Sequence, residues 1–291
     1  MNYYRLLENK NCVITSGAHG LGYAIARLFA EHGARVAICG LAFSGRESAN
    51  LLRAISPESF FFKCDLSELN QVDEFGDEVL KCMDHVDVLV NCVGINMREP
   101  ITEINMEHFD TIQSVNLKAA IQLIGKFVPV MIEKNIHGSI VNISSIHSIA
   151  PSAVTGSYAA SKGGLNAISR VLALEVGQYG IRTNTLCCGW IATTHIFKEL
   201  NAIKNDRKKQ YAFLEQFNGT APCLSPARAE DIAQHALFLA SDMSSYITGA
   251  TLMNDGGATI QAHYCDFPEP DDAFDMRRTL YNALLDSEYV R

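Results

Sequence analysis

The stretch Ile14-Thr15-Ser16-Gly17-Ala18-His19-Gly20-Leu21-Gly22 decides the fold. Its glycines stand too close together for an ordinary helix and too regularly for an arbitrary loop. The spacing of Gly17, Gly20 and Gly22 departs from the G-x-G-x-x-G dinucleotide fingerprint, so the flanks must supply the reading. Ahead of it lies an apolar run of strand length, NCVITS at 11–16. Behind it YAIARLFAEHG carries apolar residues at helical spacing and stops at Gly33. A strand that turns through glycines into a helix leaves the first N–H groups of that helix unpaired at the carboxyl edge of a sheet, where they suit a pyrophosphate.

The same alternation recurs along the chain. RVAICG (35–40) is followed by a polar helix through Leu52, then by SFFFKCD (59–65) and a helix from about Leu69 to Lys81. VDVLVNCVG (86–94) precedes a long helix near 107–134, and SIVNISS (139–145) precedes another from about 157 to 178. IRTNTLCC (181–188) and TLMND (251–255) complete seven candidate strands. Short apolar strands joined by helical crossovers predict an α/β fold, a three-layer doubly wound (Rossmann) arrangement with a mostly seven-stranded parallel sheet. Residues 1–261 read as a single nucleotide-binding and catalytic domain. Its segment of about 195–217, with five Lys or Arg against three acids, follows a strand end and reads as a lid insertion. Residues 262–291 form an acidic extension with seven acids and three arginines, either partly disordered or packed on a neighbouring subunit through Phe267, Phe274, Leu280 and Tyr281.

Composition narrows the function classes. A chain of 291 residues with 48% hydrophobic and 19% charged residues is globular and large enough for a full core. A net charge of −8 argues against nucleic acid as a partner, because phosphate backbones need clustered Lys and Arg. No uninterrupted apolar run reaches bilayer length, so no membrane partner is expected, and the N-terminal residues show no secretory h-region. Cys12, Cys39, Cys64, Cys82 and Cys92 lie in or beside apolar runs, which predicts buried free thiols in a reducing, cytoplasmic setting. Cys187-Cys188 lacks C-x-x-C metal spacing, so no metal is expected.

Two features further along point to chemistry. Asp65 closes the third strand, where a carboxylate can accept from an adenine amine. Tyr158 and Lys162, four apart on a helix, share one face. An ordinary phenol has a pKa of about 10, so a proton relay at neutral pH needs a nearby positive charge, which Lys162 can supply.

With these residues in place the chain resembles the short-chain dehydrogenase/reductase family from about Leu7 to Gly257. The marks appear in order: TSGAHGLG at 15–22, CDLS at 64–67, NCVG at 91–94, Asn116 in SVNL, NISS at 142–145, YAASK at 158–162, CGWIAT at 188–193 and ITGATLMNDGG at 247–257. The family pattern T-G-x-x-x-G-x-G matches Thr15, Gly20 and Gly22 and accounts for the glycine spacing. The resemblance implies a catalytic tetrad of Asn116, Ser145, Tyr158 and Lys162. Tyr158 would exchange a proton with the substrate oxygen, Ser145 would hold that oxygen, and Asn116 would support a water reaching Lys162. Lys162 would contact the nicotinamide ribose and lower the phenol pKa. The resemblance also implies a nucleotide held by Ser16, Gly17, His19, Gly20, Leu21 and Gly22, and after the second strand by Gly40, Leu41 and Arg46. Asp65 and Leu66, then Asn91, Val93 and Gly94, then Gly189, Ile191 and Thr193 complete the set, together with Tyr158 and Lys162. Departures from the family pattern are Ser16 for its first glycine, Cys92-Val93 for Asn-Ala and Cys188 for proline. Serine at 16 would need a positive φ unless Gly17 carries the turn.

An acidic residue at the end of the second strand would favour NAD. Here Gly40-Leu41 stand instead, with His19 and Arg46 as candidate phosphate contacts, so NADP is expected over the alternative, NAD. The run Asn96-Met97-Arg98-Glu99-Pro100 is similar to that of gluconate 5-dehydrogenases and related sugar or polyol reductases, and Arg98 can meet a substrate carboxylate. The expected reaction interconverts a ketone and a secondary alcohol on a sugar, polyol or hydroxy/keto acid. Alternatives are a 3-oxoacyl reductase or a steroid-type carbonyl reductase, with Trp190, Phe197, Tyr211 and Phe213 lining an apolar pocket. A further alternative is an inactive nucleotide-binding scaffold. The long helices are expected to build a homotetramer or homodimer.

Overall fold

The computed structural model describes residues 5–41, 44–192, 194–215, 226–260 and 273–286. Its strands are β1 (Asn11–Ile14), β2 (Arg35–Gly40), β3 (Phe60–Lys63), β4 (Val88–Asn91), β5 (Ser139–Ser145), β6 (Arg182–Cys188) and β7 (Thr251–Asn254). They form one sheet in the order β3-β2-β1-β4-β5-β6-β7, every neighbouring pair parallel. The order reverses between β1 and β4, the switch point outside whose carboxyl ends ligands of such sheets bind.

The helices are α1 (Gly20–Glu31), α2 (Ser44–Arg53), α3 (Leu69–Met83), α4 (Met106–Gln113), α5 (Ala119–Glu133), α6 (Gly156–Val176), α7 (Thr194–Ala202), α8 (Arg207–Glu215), α9 (Ala229–Ala240) and α10 (Ala273–Leu285). Side chains of successive strand residues point to opposite faces, and the core divides accordingly. Cys12, Ile14, Val36, Ile38, Val88, Val90, Val141 and Ile143 meet α1 and α9 on one face. Val13, Ala37, Cys39, Leu89 and Ile140 meet α3, α5 and α6 on the other. The stretch Met106–Glu133 is long and apolar enough to cross a membrane. It is a core helix here, with Leu123, Phe127 and Met131 buried against the sheet.

The helix expected near 107–134 is interrupted. Between α4 and α5 the backbone takes one π-turn at Ser114–Lys118. The extra residue per turn leaves a local opening in the helical hydrogen-bond ladder, a feature found often at functional sites. Asn116 sits in that turn, buried.

The glycine turn resolves the question raised by Ser16. Ser16 itself adopts φ 53°, as does Gly20 with φ 55°. A left-handed serine costs on the order of 1 kcal/mol relative to glycine, and the surrounding contacts hold it there. Gly17 serves close packing instead, because an added Cβ would lie 2.7 Å from Cβ of Ile38. At Gly22 an added Cβ would lie 2.8 Å from the carbonyl carbon of Ser16 and 3.1 Å from Cα of Gly17. Gly22→Ala is therefore expected to push α1 off the turn and destabilise the fold by about 1–3 kcal/mol, the usual cost of overpacking. Thermal unfolding measures this, and an unchanged Tm would show that the turn is looser than described.

Candidate active site

The carboxyl ends of β1, β4 and β5 converge with α6. Thr15 ties β1 to β4, its N–H donating to Val90 O at 3.0 Å and its hydroxyl accepting from Cys92 N at 2.8 Å. Ser145 ends β5, buried, with its hydroxyl accepting from His147 N at 3.2 Å. Tyr158 and Lys162 stand on one face of the first turns of α6, with Nζ of Lys162 5.9 Å from the centre of the phenol ring. The structure thus brings together Ser145, Tyr158 and Lys162.

Lys162 is 2% exposed, and among the described residues no carboxylate pairs with it. Its ammonium donates to Val93 O at 3.0 Å and Ile143 O at 2.9 Å. Burial disfavours the charged form and brings its pKa down to about 8, opposed weakly by Cys92, Cys188 and Cys187. Asn116 braces the same loop from beneath. Its Oδ1 accepts from Ile95 N at 2.9 Å, while its Nδ2 donates to Ile95 O at 2.9 Å and to Ser161 Oγ at 3.0 Å. The Asn116 side chain is thereby engaged on both ends by Ile95 and the helix of Tyr158.

For Tyr158 the dominant influence differs from the expected one. Burial raises the phenol pKa above its ordinary value, and the hydrogen bond with Ser145 opposes it. Cys188 and Cys187 add to the upward shift, while the ammonium of Lys162 donates to Val93 O and Ile143 O. His147, which carried no weight in the sequence reading, packs edge-on against Tyr158 with ring centres 6.0 Å apart. Its position two residues after Ser145 is the only sequence signal that would have found it. Its imidazole is held below its ordinary pKa, first by burial and also by Arg98, against a hydrogen bond with the Ala150 backbone.

The nucleotide-contact candidates fall into groups. Helix α1 begins at Gly20 with no side-chain cap from His19 and no acid in its first turn, and Leu21 and Gly22 follow in that turn. That end carries partial positive charge suited to a phosphate. Gly40 ends β2 and Leu41 is exposed beside it. Arg46 is exposed on α2, which Ser48 ties to the glycine turn by donating to Ala18 O at 2.6 Å. Asp65 accepts from the Ser67 N–H and hydroxyl at 2.9 and 2.7 Å through one oxygen, and Leu66 is buried beside it. Val93 presents its carbonyl to Lys162, and an added Cβ at Gly94 would come 3.3 Å from Nζ. Gly189 donates to Asn254 O at 3.0 Å, and Ile191 bridges to Ala227. Asn91 turns into the core, donating to Asn142 at 2.7 Å, which donates in turn to Ser169 at 2.7 Å. Thr193 lies outside the described residues. The uncapped helix end and a turn with no room for side chains at Gly17 and Gly22 fit a dinucleotide.

A family profile described as Enoyl-(Acyl carrier protein) reductase matches residues 17–259. The chain belongs to the short-chain dehydrogenase/reductase family. It is 34% identical over 254 residues to the 3-oxoacyl-(acyl-carrier-protein) reductase FabG of Chlamydia trachomatis, covering 87% of this chain and 98% of the relative. It is 32% identical over 272 residues to a glucose 1-dehydrogenase of Gluconobacter oxydans, covering 91% and 96%. Among solved structures it is similar to the L-sorbose reductase of Gluconobacter frateurii complexed with NADPH and L-sorbose, with TM-score 0.80 and 26% identity over 89% of this chain and 100% of that one. As a short-chain dehydrogenase/reductase it is an oxidoreductase acting between carbonyl and alcohol groups with a nicotinamide dinucleotide.

The depressed Lys162 pKa makes a direct expectation. Below about 8 the ammonium is charged in the free enzyme, and above it the charge is lost. Affinity for the reduced nucleotide is expected to weaken as pH rises through that value, and Lys162→Met is expected to flatten the profile. Fluorescence titration across pH checks this, and a pH-independent Kd in the wild type would contradict it.

Proposed function

We propose that this enzyme interconverts a ketone and a secondary alcohol on a small polar molecule, a sugar, polyol or hydroxy/keto acid, with NADP as carrier. In this reading the turn Ser16–Gly22 and the start of α1 hold the pyrophosphate, and Arg46 and His19 meet the 2′-phosphate. Nothing acidic at Gly40-Leu41 opposes that phosphate. Bound there, the nicotinamide supplies or accepts the hydride. Tyr158 exchanges a proton with the substrate oxygen, and Ser145 holds that oxygen by its hydroxyl. Lys162 contacts the nicotinamide ribose, and Asn116 fixes the loop that presents Val93 to it.

The observation that carries the substrate class is Arg98. It is exposed on the loop after β4, and among the described residues it has no carboxylate partner. Its neighbour Glu99 is engaged elsewhere, by His108 at 2.6 Å and by Asn105 N at 3.4 Å. Glu99 also pins the loop to the entry of α6, its N–H donating to Val154 O at 2.9 Å. The loop that carries Arg98 therefore lies beside the helix start that carries Tyr158, and the Arg98 charge reaches His147, itself packed on Tyr158. A free cation and a neutral imidazole beside the proton donor suit a substrate with hydroxyl or carboxylate groups. The sugar chemistry in the names of two similar proteins supports the same class.

The second reading, a 3-oxoacyl reductase, is favoured by the similarity to FabG. Its carrier partner is acidic, and the net charge of −8 opposes association unless a basic patch overcomes it. The basic residues of α8 are partly spent, Arg207 on Asp286 at 2.7 Å and Lys209 on Asp206 at 3.5 Å.

A homotetramer or homodimer is supported by apolar side chains on outer helix faces, Leu174 and Val171 of α6 and Ile121 of α5. The cytoplasm is supported by the free thiols of Cys12, Cys39, Cys64, Cys82, Cys92, Cys187 and Cys188.

Steady-state assays of ketoses, keto acids and 3-oxoacyl thioesters, each with NADPH and NADH, test the proposal. A keto acid is expected to lose about 10- to 100-fold in kcat/KM on Arg98→Ala, the worth of a charge-assisted hydrogen bond of about 1.5–3 kcal/mol, while a neutral ketose changes little. Turnover confined to acyl thioesters, or equal losses for charged and neutral ketones, would overturn it.

A further inference from the structure

The segment after β6 is anchored at the catalytic edge. Cys188 pairs in register with Ser145, and the chain leaves the sheet one residue later at Gly189. It returns through the same neck: Ala227 N donates to Trp190 O at 2.9 Å and Ala192 N donates to Ala227 O at 2.8 Å. Helices α7 and α8 belong to the excursion between those points. Ile191 and Ala227, at the neck, still pack on the sheet core.

Beyond the neck the packing changes partner. Ile196, Phe197 and Leu200 of α7 and Leu214 of α8 form a hydrophobic cluster apart from both sheet cores. The other half of that cluster comes from α10: Tyr281, Leu284 and Leu285 are all buried in it. Polar contacts join the same elements. Arg277, 5% exposed, donates from Nε to Glu215 at 3.0 Å, and the Tyr211 hydroxyl donates to Asn282 at 2.7 Å. Gln210 Nε2 donates to Leu200 O at 3.2 Å, tying α8 to α7. Two helices of nine residues each are too short to be stable alone, so their order depends on a third surface to pack against. The sequence reading had this tail disordered or seated on a neighbouring subunit; its described part, α10, packs on its own chain.

We propose that α10 is the clamp of the substrate lid: it holds α7 and α8 in place at the mouth above Ser145 and Tyr158, so that the C-terminal extension sets substrate affinity and selectivity in cis. Arg277, Tyr281 and Asn282 are positioning residues that act through the lid helices. The role of the lid rests on the catalytic reading of Ser145 and Tyr158 given above.

The test uses the full chain with Tyr281→Ala and, as a milder change that keeps the apolar cluster whole, Asn282→Ala. Trp190, the single tryptophan, stands half-exposed at the neck, where its carbonyl accepts from Ala227 N, and its emission is read without any substrate. Tyr281→Ala is expected to shift Trp190 emission to the red. It is expected to raise KM for the best carbonyl substrate tenfold or more, with kcat and NADPH Kd each within about twofold of wild type. Asn282→Ala is expected to raise KM a few-fold in the same direction, and it stands in if the first variant does not fold. Unchanged Trp190 emission together with unchanged KM would overturn the clamp, and so would an equal loss of nucleotide affinity, which marks general unfolding. Wild-type protein that turns over no carbonyl would sink the catalytic reading instead, while the emission shift still decides the clamp.

Discussion

Lys162 is an ammonium group buried with two main-chain carbonyls as its partners and, among the described residues, no carboxylate to balance it. Burying a charge in this way is costly, and the fold accepts it with the pKa falling to about 8 rather than with an ion pair. Through those carbonyls the side chain spans the loop after β4 and the end of β5, while its own backbone belongs to α6. Its carbonyl also accepts from Ser144 at 3.3 Å, closing β5 onto the helix. The relative placement of Ser145 and Tyr158 follows from that junction. A Cβ added at Gly94 would crowd Nζ, at 3.3 Å. Asn116 holds Ile95 one residue beyond, which requires the π-turn that brings its amide to the loop.

Around this junction the sheet supplies rigidity and the excursion after β6 supplies variety. The strands place their carboxyl ends side by side at the reversal of strand order, and the two sheet cores hold that edge fixed. The cluster of α7, α8 and α10 is separate from both cores. In the proposed reading it walls the substrate mouth, so that chemistry stays on the sheet edge and selectivity sits on a separate packing unit.

Much of this was legible in the sequence because the signals were local. The seven strands showed as apolar runs, while the sequence left open whether Ser16 or Gly17 carries the turn, and the structure gives the positive φ to Ser16. Tyr158 and Lys162 showed as a spacing of four on one helix. The π-turn was invisible, since one extra residue within 107–134 does not disturb helical periodicity over so short a span. Spacing gave the proximity of Tyr158 to Lys162 but not the burial of the phenol, which raises its pKa. Asn91 read as facing the nucleotide, yet its side chain enters a buried chain to Asn142 and Ser169 that only the third dimension reveals. The docking of Tyr281 beside Ile196 joins residues more than eighty apart, and no pattern in either segment announces it. His147 gave no periodic or motif signal, and its value comes from the ring it packs against.

The central claim is that Tyr158 carries the proton. Single-turnover hydride transfer, followed by nucleotide absorbance with the best carbonyl substrate across a pH range, tests it most directly in Tyr158→Phe. That change keeps the ring and its packing against His147 and removes only the hydroxyl. The rate of the hydride step is expected to fall by about 10²–10⁴, the usual worth of a positioned acid, with nucleotide affinity little changed. Hydride transfer at the wild-type rate in Tyr158→Phe would contradict the account.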